Sequence, residues 1–130
     1  MTNYRPKPLV FPMVFLLLAV GSASRALQPQ QEQPPDDVRG NWTIYSKNID
    51  NGQTVAKSVQ INQNGNRLSG HFKGPYQSGG IEGTMNVRHI VFRTKTRNVL
   101  TFRGMVDGNT MEGNFGVRGH HGTWEGRRAD

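Results

Sequence analysis

Ile81-Glu82-Gly83-Thr84-Met85-Asn86-Val87-Arg88 and Met111-Glu112-Gly113-Asn114-Phe115-Gly116-Val117-Arg118 are nearly the same phrase, written twice in one short chain. Each opens with a large apolar residue, a spacer, a glycine, a spacer and a second large apolar residue. The same skeleton recurs as Leu68-Ser69-Gly70-His71-Phe72 and Phe102-Arg103-Gly104-Met105-Val106. Successive side chains of a β-strand point to opposite faces, so both apolar residues and the glycine between them share one face. A small sheet that curls onto itself needs sharp coiling, and glycine on the inner face permits it without side-chain overlap. Four such placements predict a coiled, closing sheet.

Working outward from these segments, no apolar 3.6-residue periodicity runs over ten or more residues, which excludes helix. Alternation and turn signals predict eight strands, near 41–47, 54–62, 67–73, 80–86, 89–94, 99–106, 110–116 and 122–128. Asn51-Gly52, Asn64-Gly65 and Asp107-Gly108 fall between them and suit hairpin turns that need positive φ. Short connections pair each strand antiparallel with its neighbour, so the expected fold is an all-β, up-and-down meander barrel. Trp42 opens the first strand and Trp124 lies in the last, and closure would make those strands neighbours without exposed edges. The expected inward set is Trp42, Ile44, Val59, Ile61, Leu68, Phe72, Ile81, Met85, Ile90, Phe92, Leu100, Phe102, Met111, Phe115 and Trp124.

The chain has 130 residues, 16 glycines, no cysteine, and 16 Lys+Arg against 9 Asp+Glu, a formal charge of +7. That length suits one domain. The missing cysteines exclude a disulfide scaffold, a thiolate metal site and a Cys nucleophile. Residues 1–26 carry Arg5, Lys7 and Arg25 with no acid, leaving 13 basic against 9 acidic groups, or +4, for the rest. Arg5 and Lys7, the apolar run Leu9 to Val20 and the small residues Gly21 to Ala26 read as a signal peptide cleaved after Ala23 or Ala26. An uncleaved anchor is the other reading. The expected location is secreted or periplasmic, with no membrane insertion after cleavage and a monomeric product. Residues 27–39 are rich in Gln, Pro and acid and read as a disordered linker that buries nothing. The barrel domain then occupies residues 40–130, where Pro75 is the one proline.

Gly40-Asn41-Trp42 at the start of the first strand, an up-and-down barrel, and a basic residue late in the last strand resemble the calycins. That superfamily includes lipocalins, avidins, fatty-acid-binding proteins and bacterial barrel-type metalloprotease inhibitors. The resemblance spans Gly40 to Arg128 and is closer still to small glycine-rich barrels of exported bacterial proteins. It implies structural roles for Gly40, Trp42 and, by strand parity, Arg128 (Arg127 being the alternative), with the arginine covering the tryptophan at the closed end. The body is shorter than a typical lipocalin's and lacks a helix and a disulfide.

Meander topology gathers the longer connections, 48–53, 74–79, 95–98 and 117–121, at the other end. This candidate mouth collects Lys47, Lys73, Lys95, Arg97, Arg118, His120 and His121, with Tyr76 on a loop and Asp50 opposing them. The expected ligand-binding set is Lys73, Tyr76, Lys95, Arg97, Arg118 and His120 at the rim over Phe72, Phe92 and Trp124. It suits a ligand with an anionic head at the rim and an apolar body inside. Such a barrel should hold a cavity of about 300 Å³ or more. The competing reading is a barrel filled by its own side chains.

Other chemistries have little support in the sequence. Glu82 and Glu112 resemble paired carboxylates, but parity sends both outward, away from any pocket. No Ser, His and acid converge, so no catalytic residue and no enzyme is expected. His71 and His89 also point outward and His120-His121 diverge on a strand, so neither a metal nor another cofactor is expected. His89-Ile90-Val91-Phe92-Arg93-Thr94-Lys95-Thr96-Arg97 mixes bases with an aromatic in the manner of single-strand binders. Phe92 faces inward with Ile90, however, and no nucleic-acid partner is expected. A small ligand remains the first expectation, and a protein partner in the cell envelope, including a protease-inhibitor-like contact, the second.

Overall fold

The computed structural model describes residues 33–129. Residues 1–32, which carry the expected signal peptide and most of the expected linker, lie outside the described part. Eight strands follow in order: β1 (Gly40–Asn48), β2 (Thr54–Asn64), β3 (Arg67–Lys73), β4 (Ser78–Asn86), β5 (His89–Lys95), β6 (Thr101–Asp107), β7 (Thr110–Val117) and β8 (His120–Ala129). Every strand pairs antiparallel with its sequence neighbour, and β1 pairs with β8, closing the barrel. All eight stand where the alternation predicts them, with ends moved by at most two residues. Closure leaves no unpaired sheet edge, which stands in for the staples a cysteine-free chain lacks.

All of the expected inward residues are buried, and Val38 and Val106 join them. The repeated glycines do what the phrase implies. Gly104 and Gly113 face each other across β6 and β7, and Gly113 faces Trp124 on β8. A β-carbon on Gly113 would overlap the Arg103 carbonyl oxygen, and one on Gly104 would stand 2.9 Å from Cζ2 of Trp124. The indole therefore reaches into the space that Gly104 leaves, while Gly113 lets the two strands approach. Its Nε1 donates to the carbonyls of Arg103 (3.1 Å) and Asn114 (3.0 Å), so the one polar atom of the ring is satisfied in the wall.

An aromatic stack fills the middle of the barrel. Phe92 and Phe102 stack at 4.8 Å, Phe102 and Phe115 at 5.9 Å, and Trp124 meets Phe102 edge-on at 5.4 Å. Each such pair adds about 1 kcal/mol beyond the area it buries. These rings separate a closed lower end from an open upper one.

The lower end corrects the reading of the linker. Val38 is fully buried within the core cluster. The Asp36 N–H donates to the Val87 carbonyl (2.8 Å), and the Val38 N–H donates to Gln63 Oε1 (2.8 Å). Gln63 Nε2 donates back to the Asp36 carbonyl at 3.0 Å. Trp42 Nε1 donates to the Val38 carbonyl at 2.9 Å. One apolar side chain is enough to close a narrow opening when its backbone finds partners on the rim. Arg128, not Arg127, covers Trp42, with its guanidinium carbon 4.5 Å from the ring centroid. It also donates to the carbonyls of Arg39 and Asp37 and to Asn109 Oδ1. Arg127 is solvent-facing beside Glu125. Asp37, held by the Arg39 guanidinium, titrates well below the usual carboxylate range.

Candidate functional site

The upper end is framed by the connections 49–53, 74–77 and 96–100 and by a tight turn at Arg118-Gly119. The last is shorter than the expected loop 117–121, because both residues take positive φ (49° and 82°) and turn the chain in two steps. Gln77 ties two of the loops together: its Nε2 donates to the Asn98 carbonyl (2.6 Å), and its Oε1 accepts from the Asn98 N–H (3.2 Å). Thr94 is buried facing inward, and its hydroxyl is taken by Thr96 (2.6 Å) and the Leu100 N–H (3.0 Å). These bonds hold the frame without using up a group that a ligand would need.

Beneath the frame lies a cavity of about 250 Å³, somewhat under the size expected. Phe72, Phe115, Val55, Val117 and Leu100 supply an apolar wall, and Pro75 and Tyr76 lean over its opening. Phe115 is the member of the aromatic stack that reaches it, and its one cation is Lys57. Alternation along β2 turns Val55, Lys57, Val59 and Ile61 to the same inner face. The ammonium stands 5.4 Å from the Phe115 ring centroid and 6.0 Å from that of Phe102. It donates to the hydroxyl of Ser46, itself buried. Burial pushes the Lys57 ammonium below the usual lysine range, with no charged neighbour contributing. Among the described residues Lys57 makes no ion pair. Rings and a hydroxyl offset part of the desolvation of a cation, but not all of it.

The residues expected from the sequence separate into three places. Phe72 and Tyr76 line the cavity. Phe92 and Trp124 lie below it in the packed stack. Lys73, Lys95, Arg97, Arg118 and His120 are exposed and stand outside the lining. Several of these rim cations already have partners. Lys95 and Arg93 share Glu82 (3.5 and 3.0 Å), which holds that carboxyl below its ordinary range. His120 Nδ1 meets Asp50 at 2.8 Å, and Arg118 donates to Asn98 Oδ1 at 3.3 Å. Lys57 was not among the expected site residues. Its signal was present in the chain: it shares parity with Val59 and Ile61, so an inward Val59 already implies an inward Lys57.

A larger depression of about 820 Å³ lies on the outer wall, where Tyr45 and Met105 are exposed between Arg103, Glu112 and Glu125. Glu112 and Glu125 face each other across β7 and β8, and Lys47 and Arg103 line the same depression. Among the described residues no group of three or more His, Asp or Glu side chains is placed to hold a metal.

No family model matches this chain, and no curated protein matches it either. Among solved structures it is similar to a redesigned β-barrel, at a TM-score of 0.62 and 13% identity. The match covers 72% of this chain and 92% of that one. At this identity the likeness concerns the fold, and it supports a closed eight-stranded antiparallel barrel.

Proposed function

We propose that this protein is an exported, non-catalytic, calycin-like binding barrel that takes a small apolar anion in its upper cavity. The observation that carries the reading is the Lys57 ammonium, half-buried in a largely apolar pocket of about 250 Å³ without a counter-ion among the described residues. A carboxylate placed against Nζ would supply that counter-ion, and charge-assisted contacts of this kind are strong when shielded from water. The ligand sits the opposite way up from the orientation expected for a rim-held head. Its anionic group goes down to Lys57, and its apolar body lies between Phe72 and Phe115 toward Tyr76. The volume suits a short-chain or single-ring acid of about ten heavy atoms. Export rests on the pattern of residues 1–26, and residence is secreted or periplasmic.

Titration of the protein with benzoate and hexanoate, followed by amide NMR, tests this reading. Saturable shifts confined to the cavity, and lost in Lys57→Met, are expected. Absence of saturable shifts at millimolar ligand would refute it. A protein partner is the second reading, favoured by Tyr76 and Ile49, which are 89% and 67% exposed at the same end.

A further inference from the structure

We propose that Lys57 also captures small apolar aldehydes as a reversible imine, a covalent activity that goes beyond anion binding in the same cavity. Three placements carry this. Nζ of Lys57 lines a partly open pocket whose wall is mostly apolar, so a carbonyl carbon bound there lies within its reach. The Ser46 hydroxyl is hydrogen-bonded to that nitrogen and is positioned to relay a proton. No carboxylate pairs with the amine among the described residues, so none holds it permanently protonated. Burial enlarges the neutral, nucleophilic fraction, and Tyr76 is the one other titratable group that lines the cavity.

The chemistry balances without an oxidant, reductant or cofactor. The Nζ lone pair forms a bond to the carbonyl carbon, and the carbonyl oxygen takes up a proton as the nitrogen releases one, giving a carbinolamine. Protonation of that hydroxyl, loss of water and loss of the remaining nitrogen proton leave the carbon–nitrogen double bond. Amine and aldehyde thus give imine and water, and water reverses the step. The apolar wall and limited volume favour a short aliphatic or single-ring aldehyde over a polar or long one.

Reductive trapping tests this directly. The full chain is incubated with hexanal and sodium cyanoborohydride at pH 7, and alkylation at each lysine is read by peptide mass spectrometry. Lys47, Lys73 and Lys95, all exposed, serve as comparators in the same tube. Lys57 should be alkylated at least about tenfold faster than their mean, and glyceraldehyde should show no such preference. Equal or slower labelling of Lys57 overturns the proposal, as does an equal preference with glyceraldehyde. Benzoate titration of the same preparation separates the two readings. Saturable benzoate binding without selective labelling removes imine formation and leaves anion binding standing. Lys57→Arg should retain benzoate binding and lose the selective label, whereas Lys57→Met should lose both.

Discussion

The guanidinium carbon of Arg128 stands 4.5 Å from the centroid of the Trp42 ring, and the two residues face each other across the seam between β1 and β8. That seam is where the first and last strands of the chain close the barrel. Arg128 also reaches past the ring to the carbonyls of Asp37 and Arg39, so one side chain joins both ends of the described chain. Its removal strands three acceptors and uncovers the indole face. Arg128→Ala is therefore expected to cost about 2–3 kcal/mol, read as a lower urea midpoint at an unchanged slope. Arg128→Lys should recover less than half of that, because an ammonium cannot bridge the same fork of acceptors. Wild-type stability in Arg128→Ala would show that the cover is ornamental.

Val38 offers a second test, because it was expected to be solvent-exposed and is instead part of the core. Val38→Ala should destabilise by about 2 kcal/mol from lost burial and the cavity left behind. Trp42 bonds to the Val38 carbonyl, so indole fluorescence should shift to the red as the lower end loosens. A substitution that changes neither midpoint nor emission would mean that the segment does not dock in solution.

Gly113 and Gly108 separate two uses of glycine. At Gly113 a β-carbon would overlap the wall of the barrel, and nothing there can yield except backbone. Gly113→Ala should cost about 3 kcal/mol or more, read by thermal unfolding. Gly108 has φ +63° in a turn with open space around it. Gly108→Ala should cost only about 1 kcal/mol, the ordinary strain of a left-handed alanine. Equal losses at the two sites would argue against close strand approach as the reason for the inward glycines.

Lys57 gives a dependence on pH whose sign follows from burial. Its folded-state pKa lies below the 10.5 of an unburied lysine, so the unfolded chain binds more protons between the two values. Wild-type stability should therefore gain relative to Lys57→Met as pH rises through that window toward 10.5. Below the window the difference should be constant. At pH 7 Lys57→Met should be neutral or more stable by about 1 kcal/mol, since an apolar side chain of similar length replaces a desolvated cation. Parallel pH profiles of the two proteins from chemical denaturation would contradict the desolvated position of the amine.

The order of strands, their pairing and the inward face were legible because each rests on local chemistry. Alternation in Leu68–Phe72 or Met111–Phe115 declares a face, and Asn-Gly or Asp-Gly declares a turn. Strands joined by turns that short have few ways to pair. The docking of Val38 was not legible, since a lone valine among Pro, Gln and Asp carries no periodicity. Its burial depends on an opening that exists only once eight strands have closed.

The candidate site divides along the same line. By itself the sequence determined that one end of the meander would carry longer loops and several cations, because parity and connection order do not depend on packing. Only the tertiary structure decided which cation belongs to the interior. The rim lysines and arginines stay outside the lining, several of them already paired, while Lys57 is carried inward by the strand that holds Val59 and Ile61. Closure then removes part of the water that would have solvated it. A charge becomes a binding group when the fold takes away part of its solvent without giving it a counter-ion, and that is a property of the barrel as a whole.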